Sequence, residues 1–116
     1  MKKIISSVGY AIQGIKQAFK TELNFKLELA CTVLCIVAGY YFKLSANEWS
    51  IVFLTIGLVL SMELINTAIE KTCNLYSTEK NNLIKQIKDI SAAGTFIATI
   101  VAFIVGAIIF LPKILK

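Results

Sequence analysis

The longest apolar run of the sequence is the feature that most limits how the chain can fold. It extends from Ile90 to Pro112 and contains no charged residue over 23 positions. A helix needs about 20 apolar residues to cross the hydrocarbon core of a bilayer. The chain as a whole is 57% hydrophobic, whereas soluble domains are about 45–50% apolar. We therefore expect a transmembrane helix here, ended by the only proline, in an integral membrane protein.

Two shorter apolar runs predict two more spans. One extends from Leu27 to Phe42 and carries Glu28 near its start, and the other begins at Trp49. Each reaches the length of a spanning helix only if one end lies in the interface or inside a bundle. We expect one all-α membrane domain, residues 1–116, with transmembrane helices at about 27–42, 49–70 and 90–112.

The N-terminal segment, at about 4–20, predicts a helix of a different kind. Its apolar residues recur at helical spacing, and lysines, glutamines and a serine occupy the opposite side. Amphipathic helices with lysines on the polar face typically lie along the membrane surface. Polar residues interrupt the segment throughout, which argues against a cleavable signal peptide. We expect a surface helix.

The lysines predict the orientation in the membrane. Nine lie before the first span or between the second and third spans, and three lie on the other side: Lys43, Lys113 and Lys116. Because short loops rich in lysine stay in the cytoplasm, the N-terminus is expected inside and the C-terminus outside. Topology and attraction to anionic lipid then account for the net charge of +5, so no nucleic-acid partner is expected. Three cysteines without any histidine form no metal-ligand pattern.

The stretch "SMELINTAIEKT", residues 61–72, places carboxylates at the end of an apolar run. Glu63 and Glu70 are seven residues apart, so on a helix they face nearly the same direction, with Asn66 between them. Ionisable groups at membrane depth are costly and usually functional. The simpler alternative is that Glu70 sits at the interface and that Glu63 pairs with a lysine of another helix.

Other charged residues are expected on the same side of the membrane. Glu22 precedes the first span in "FKTELNFKLE", and Lys88 and Asp89 open the third in "IKDISAAG". Carboxylates there would suit Mg²⁺, which prefers oxygen ligands and commonly bridges to substrate phosphates, and a lysine beside them would offset phosphate charge. In the third span, small residues recur every fourth position, which is typical of close helix packing and also of ordinary transmembrane composition: Gly94, Ala98, Ala102 and Gly106.

Three segments carry a family resemblance. "GYAIQGIKQAFKTELNF", "ELINTAIE" and "KDISAAG" resemble, in order and spacing, the signature segments of the prokaryotic diacylglycerol kinase family, one branch of which phosphorylates undecaprenol. The resemblance covers about Ser7 to Leu111. It implies a small kinase of the prokaryotic inner or plasma membrane, homotrimeric, with three transmembrane helices, a surface helix and composite sites at subunit boundaries.

The resemblance also implies roles for individual residues. Glu63 matches the general base toward the lipid hydroxyl, and Asn66 matches the motif asparagine. Glu22 and Glu70 match the carboxylates that hold the metal with ATP. The remaining matches are to positions that contact the nucleotide: Tyr10, Glu79, Lys88 and Asp89.

The sequence departs from the family pattern in the segment that frames the nucleotide. Asn74 stands where the family commonly has aspartate, Asn81 where it has histidine, and Lys85 where it has glycine. We expect looser nucleotide binding, with a KM for ATP that falls when Asn74→Asp and Asn81→His are introduced together.

The expected function is ATP- and Mg²⁺-dependent phosphorylation of a membrane lipid alcohol. Diacylglycerol, which would give phosphatidate, and undecaprenol both present one hydroxyl at the interface, and the sequence does not choose between them. In this mechanism Glu63 accepts the hydroxyl proton, Mg²⁺ on Glu22 and Glu70 bridges the β- and γ-phosphates, and Lys88 offsets developing charge. The alternative is a non-catalytic membrane transporter or assembly subunit that uses Glu63 to bind a cation.

Overall fold

The chain folds into four helices within the part that the computed structural model describes, residues 1–76 and 81–116. They are α1 (Lys2–Thr21), α2 (Leu23–Tyr41), α3 (Ala46–Tyr76) and α4 (Asn82–Ile114). The predicted all-α architecture is confirmed. Three of the helices, α2, α3 and α4, are long and apolar enough to cross a membrane.

The helices α3 and α4 are longer than the expected spans that they contain. With 31 and 33 residues they are about 46 and 50 Å long at 1.5 Å per residue, whereas the hydrocarbon core is about 30 Å thick. At their facing ends Cys73 and Ile84 are buried, and both line a groove between the two helices. Polar residues at these ends therefore lie on rigid helix rather than in a loop.

The expectation that Pro112 ends the last helix is wrong. Pro112 lies inside α4, which continues to Ile114. Proline removes one intrahelical hydrogen bond and its ring crowds the carbonyl four residues earlier, and only Lys113 and Ile114 follow it in this helix. The ladder resumes beyond it, because the Leu115 amide donates to the Leu111 carbonyl at 3.0 Å.

A sharp corner joins α1 to α2 at Glu22. This single residue is extended, with φ −114° and ψ 110°, and its amide donates to the Ala18 carbonyl at 2.8 Å. Ala18 and Phe25 are almost completely buried on either side of the corner. Packing at these two positions fixes where the Glu22 side chain begins relative to α3.

The opposite end of the molecule holds the hydrophobic core and the α2–α3 turn. Leu44, Val52 and Ile109 are buried there together. Gly39 is required by close packing, since a Cβ atom at this position would lie 2.5 Å from the Trp49 ring. Glycine lets α2 approach the start of α3.

Two polar contacts fix the start of α3. The Ser45 amide donates to Glu48 Oε1 at 3.0 Å and the Glu48 amide donates to Ser45 Oγ at 3.2 Å, a reciprocal capping box. Glu48 also pairs with Lys113 at 3.3 Å, which ties the start of α3 to the end of α4. The Ser45 amide and the lysine keep the pKa of the Glu48 carboxyl below its usual value.

Two of the four regularly spaced small residues of α4, Gly94 and Ala98, lie where α4 packs closely. A Cβ atom on Gly94 would lie 2.6 Å from the Met62 methyl carbon, and Ala98 is 2% exposed. At Gly106 a Cβ atom would meet nothing within 4 Å. Close helix packing therefore explains Gly94 and Ala98, and ordinary transmembrane composition is sufficient for Gly106.

Candidate functional site

The polar stripe of α3 is buried inside the helix bundle. Glu63, Asn66 and Thr67 are 5%, 8% and 6% exposed, although the helix around them is apolar. Residues three and four positions apart share a helix face, which is why these side chains point to the same side. Burying a carboxylate is costly unless a partner offsets it, so this face of α3 requires an explanation beyond packing.

Other carboxylates surround Glu63 instead of lysines. Glu22 at the α1–α2 corner and Glu70, two turns along α3, are close enough for their charges to act on Glu63. Glu28 on α2 is also within electrostatic reach of Glu63. Among the described residues the ion pairs are Lys85–Asp89 and Lys113–Glu48, and neither involves Glu63. The alternative of a Glu63–lysine pair is therefore not what the described chain adopts.

The carboxylates have the chemistry to take part in a cation site but do not enclose one. In residues 1–76 and 81–116 no three carboxylate or thiol groups are close enough to hold a metal by themselves. Glu28 Oε2 is shielded from solvent and accepts no hydrogen bond within that part of the chain. Mg²⁺ is commonly bound by one or two carboxylates together with substrate phosphates and water. Glu22 and Glu70 have the carboxylate chemistry for that mode of binding, and their role as metal ligands remains a prediction.

Asn66 is fixed from the neighbouring helix. Ser91 Oγ of α4 donates to Asn66 Oδ1 at 2.6 Å. This bond uses the carbonyl oxygen of Asn66, so the side-chain N–H groups are what it can still donate. The side-chain orientation of Asn66 therefore depends on Ser91, which follows the "KD" pair on α4.

The expected nucleotide residues Lys88 and Asp89 have separate partners. Lys88 Nζ donates to Asn74 Oδ1 near the end of α3 at 2.7 Å. Asp89 Oδ2 forms an ion pair with Lys85 Nζ, also at 2.7 Å, one turn away on α4. The hydrogen bond to Asp89 and its charge raise the pKa of Lys85, which precedes the expected span at 90–112. The two members of the "KD" pair are thus held without neutralising each other.

Asn81 caps α4. Its Oδ1 accepts from the amides of Leu83 at 2.8 Å and Ile84 at 3.3 Å. Asparagine is among the most favourable N-cap residues, and loss of such a cap costs about 0.5–2 kcal/mol. This departure from the family pattern therefore has a structural role.

The structure does not test the expected roles of two nucleotide residues. The Tyr10 side chain on α1 is exposed, with 71% of its surface accessible. Glu79 lies outside the described residues. Their expected roles remain predictions.

A groove of about 380 Å³ lies beside the polar stripe, between α1 and α3. Its α1 wall includes Gly14 and Ala18, and its α3 wall includes Leu64, Thr67 and Ala68. A Cβ atom on Gly14 would meet nothing within 4 Å. This apolar groove reaches from the outer surface of the described chain to the buried face of α3 that holds Thr67.

The sequence predicted no functional role for Glu28 or Ser91, and for Asn74 only a departure that loosens nucleotide binding. Glu28 carried one signal, because it is a charged residue inside an apolar run six positions after Glu22. Asn74 carried another, as a departure from the family pattern. Nothing in the sequence pointed to Ser91, because its hydrogen bond to Asn66 forms only when α4 packs on α3.

Comparisons with known proteins agree on one family. Residues 9–110 match the family described as prokaryotic diacylglycerol kinase. The chain is 36% identical to the undecaprenol kinase of Bacillus subtilis over 114 residues, 98% of this chain and 93% of that protein. It is 36% identical to the diacylglycerol kinase of Haemophilus influenzae over 110 residues, 92% of each chain. The diacylglycerol kinase of Pseudomonas aeruginosa is 32% identical over 111 residues, 96% of this chain and 90% of that protein.

Proposed function

The chain belongs to the prokaryotic diacylglycerol kinase family and is a membrane lipid kinase, and we propose that it transfers the γ-phosphate of ATP, with Mg²⁺, to the hydroxyl of a lipid alcohol. Diacylglycerol is the first candidate acceptor. Undecaprenol is the second, favoured by the similarity to the B. subtilis enzyme. The transporter alternative is set aside because the named relatives are kinases.

The observation that carries this proposal is the buried carboxylate of Glu63. It is 5% exposed on a helix long enough to cross the membrane, and the charges of Glu22 and Glu70 act on it. A carboxylate in such a place can accept a proton from a lipid hydroxyl that enters from the bilayer, while water is largely excluded. This combination supports a reaction at the membrane interface.

In the proposed reaction the lipid oxygen attacks the γ-phosphorus of ATP. The bond between that phosphorus and the β–γ bridging oxygen breaks, ADP leaves, and the hydroxyl proton passes to Glu63. Lys88 offsets charge on the transferred phosphoryl group, and Asn66 orients the lipid hydroxyl or a phosphate oxygen through its amide group. Mg²⁺, held by Glu22 and Glu70 with phosphate oxygens, would supply charge neutralisation when bound.

The groove between α1 and α3 supports access of a lipid to Glu63. Its apolar walls suit an acyl or prenyl chain, and Thr67 belongs both to the groove and to the buried polar stripe. A chain lying in this groove would bring its hydroxyl end toward Glu63. Both candidate acceptors meet this requirement.

The proposal includes the assembly and topology expected from the sequence. We propose a homotrimer in which α1 lies on the membrane surface, with the N-terminus in the cytoplasm and the C-terminus outside. Mass measurement of the purified protein in detergent tests the trimer, and reporter fusions at each terminus test the topology.

The acceptor is tested with purified protein in mixed micelles. Radiolabelled ATP and Mg²⁺ are supplied with either diacylglycerol or undecaprenol, and labelled lipid is separated and counted. Transfer to one lipid with a kcat/KM at least tenfold above the other assigns the acceptor. Absence of transfer to both lipids and to related alcohols, with the protein folded, would refute the proposed function.

A further inference from the structure

The contact between Lys88 and Asn74 joins the two long helices at the end where the polar residues lie. The Lys88 ammonium donates to Asn74 Oδ1 at 2.7 Å, although the residues are 14 positions apart. Asn74 lies in the last turn of α3, and Lys88 lies two turns into α4. Both are on regular helix, so the contact gives the lysine nitrogen a defined position.

We propose that Asn74 is a positioning residue that holds the Lys88 ammonium group in place for a phosphate of the nucleotide. This inference rests on the proposed function, since it assigns Lys88 to the phosphoryl donor. Asn74 itself touches no reacting atom in this account. Its contribution is to fix the lysine before the nucleotide binds.

The chemistry of the asparagine makes it suited to this role. An ammonium group has three protons, and the Asn74 carbonyl accepts only one of them. The amide is neutral, and among the described residues no carboxylate pairs with Lys88, so within that part of the chain two of its N–H donors remain for phosphate oxygens. A carboxylate at the same place would form an ion pair, and the incoming phosphate would have to compete with it.

The neighbouring contacts lead to the same conclusion. Asp89 is the carboxylate next to Lys88 in sequence, but it pairs with Lys85 at 2.7 Å. Lys85 therefore keeps a second possible counter-ion occupied. Asn81 caps α4 and fixes the start of the helix that carries both lysines. All three departures from the family pattern thus help to place the charged groups, whereas the expectation that they loosen the nucleotide pocket remains a prediction.

The test is equilibrium binding of Mg·ATP to the detergent-solubilised protein, together with KM and kcat for lipid phosphorylation. In Asn74→Ala the Lys88 side chain loses its partner and must be ordered by the nucleotide when it binds. We therefore expect the Kd and the KM for ATP to rise about 2- to 10-fold, with kcat nearly unchanged. Asn82→Ala is the matched control, because Asn82 is exposed on the first turn of α4. It should leave Kd within twofold.

A double-mutant cycle separates positioning from structure. In a Lys88→Met background, Asn74→Ala should have no further effect on Kd, because there is no ammonium to position. An equal loss in both backgrounds would overturn the inference. An equal loss in both backgrounds would leave the proposed function intact if the wild-type protein transfers phosphate normally. Wild-type protein that neither binds Mg·ATP nor transfers phosphate would overturn both.

Asn74→Asp gives an independent outcome, since the family pattern predicts tighter nucleotide binding when this change is combined with Asn81→His. On the present inference the new ion pair with Lys88 raises Kd by about 1.5- to 5-fold at low salt, and the effect shrinks as salt screens the pair. A lower Kd in Asn74→Asp would overturn the inference. Helicity measured by circular dichroism shows whether each variant is folded.

Discussion

Removal of the Ser91 hydroxyl tests whether the packing of α4 on α3 orients Asn66. Ser91→Ala deletes the donor of a 2.6 Å hydrogen bond and leaves Asn66 Oδ1 without it, in a residue that is 8% exposed. An unpaired buried acceptor costs about 1–3 kcal/mol. If this free energy is lost from the conformation in which Asn66 is oriented for the reaction, kcat/KM decreases by about 5- to 150-fold.

The assay is phosphoryl transfer to the better lipid acceptor, measured with the midpoint of thermal unfolding in the same detergent. Ser91→Thr keeps the hydroxyl and should retain most of the activity. Ser50→Ala is the matched control, because that hydroxyl donates to the Ala46 carbonyl of its own helix at 3.0 Å. An unchanged kcat/KM in Ser91→Ala, with normal stability, would refute the role assigned to this bond.

Two further predictions concern the metal and the lipid. Glu22→Ala and Glu70→Ala should each raise the Mg²⁺ concentration needed for half-maximal activity, because each removes a ligand from a cation with few protein ligands. Titration of the activity with Mg²⁺ measures this concentration. Unchanged titration curves in both variants would contradict the prediction. Gly14→Leu should raise KM for the lipid several-fold and leave KM for ATP unchanged, because it fills the α1–α3 groove. Gly9→Leu is its control on the same helix, since a side chain there also extends into open space; an equal effect of the two leucines would argue against lipid binding in the groove.

Much of the fold could be predicted because membrane spans depend on composition over long windows. The uncharged run at 90–112 is long enough to determine a helix by itself. The seven-residue spacing of Glu63 and Glu70 likewise predicts a shared face, and Glu63 is buried on that face. These inferences need only the period of a helix.

The rest of the site depends on how helices pack, which no local pattern records. Glu28 comes within electrostatic reach of Glu63 because α2 packs back against α3 across the turn between Tyr41 and Ala46. The Lys88–Asn74 contact requires α3 to remain helical through Tyr76, beyond the end of the apolar run. The roles of Tyr10 and Glu79 remain predictions, because the first is exposed and the second lies outside the described residues.

The most direct test of the account is the rate of phosphoryl transfer by Glu63→Gln. Glutamine keeps the size of the side chain and removes the proton acceptor, so kcat should fall by about 10²–10⁴-fold while the Kd of Mg·ATP stays within a few-fold of wild type. Glu48→Gln makes the same chemical change at the other end of α3, beside Lys113, and should remain active. Near-normal kcat in Glu63→Gln, in a folded protein that phosphorylates lipid, would contradict the claim that this buried carboxylate is the base.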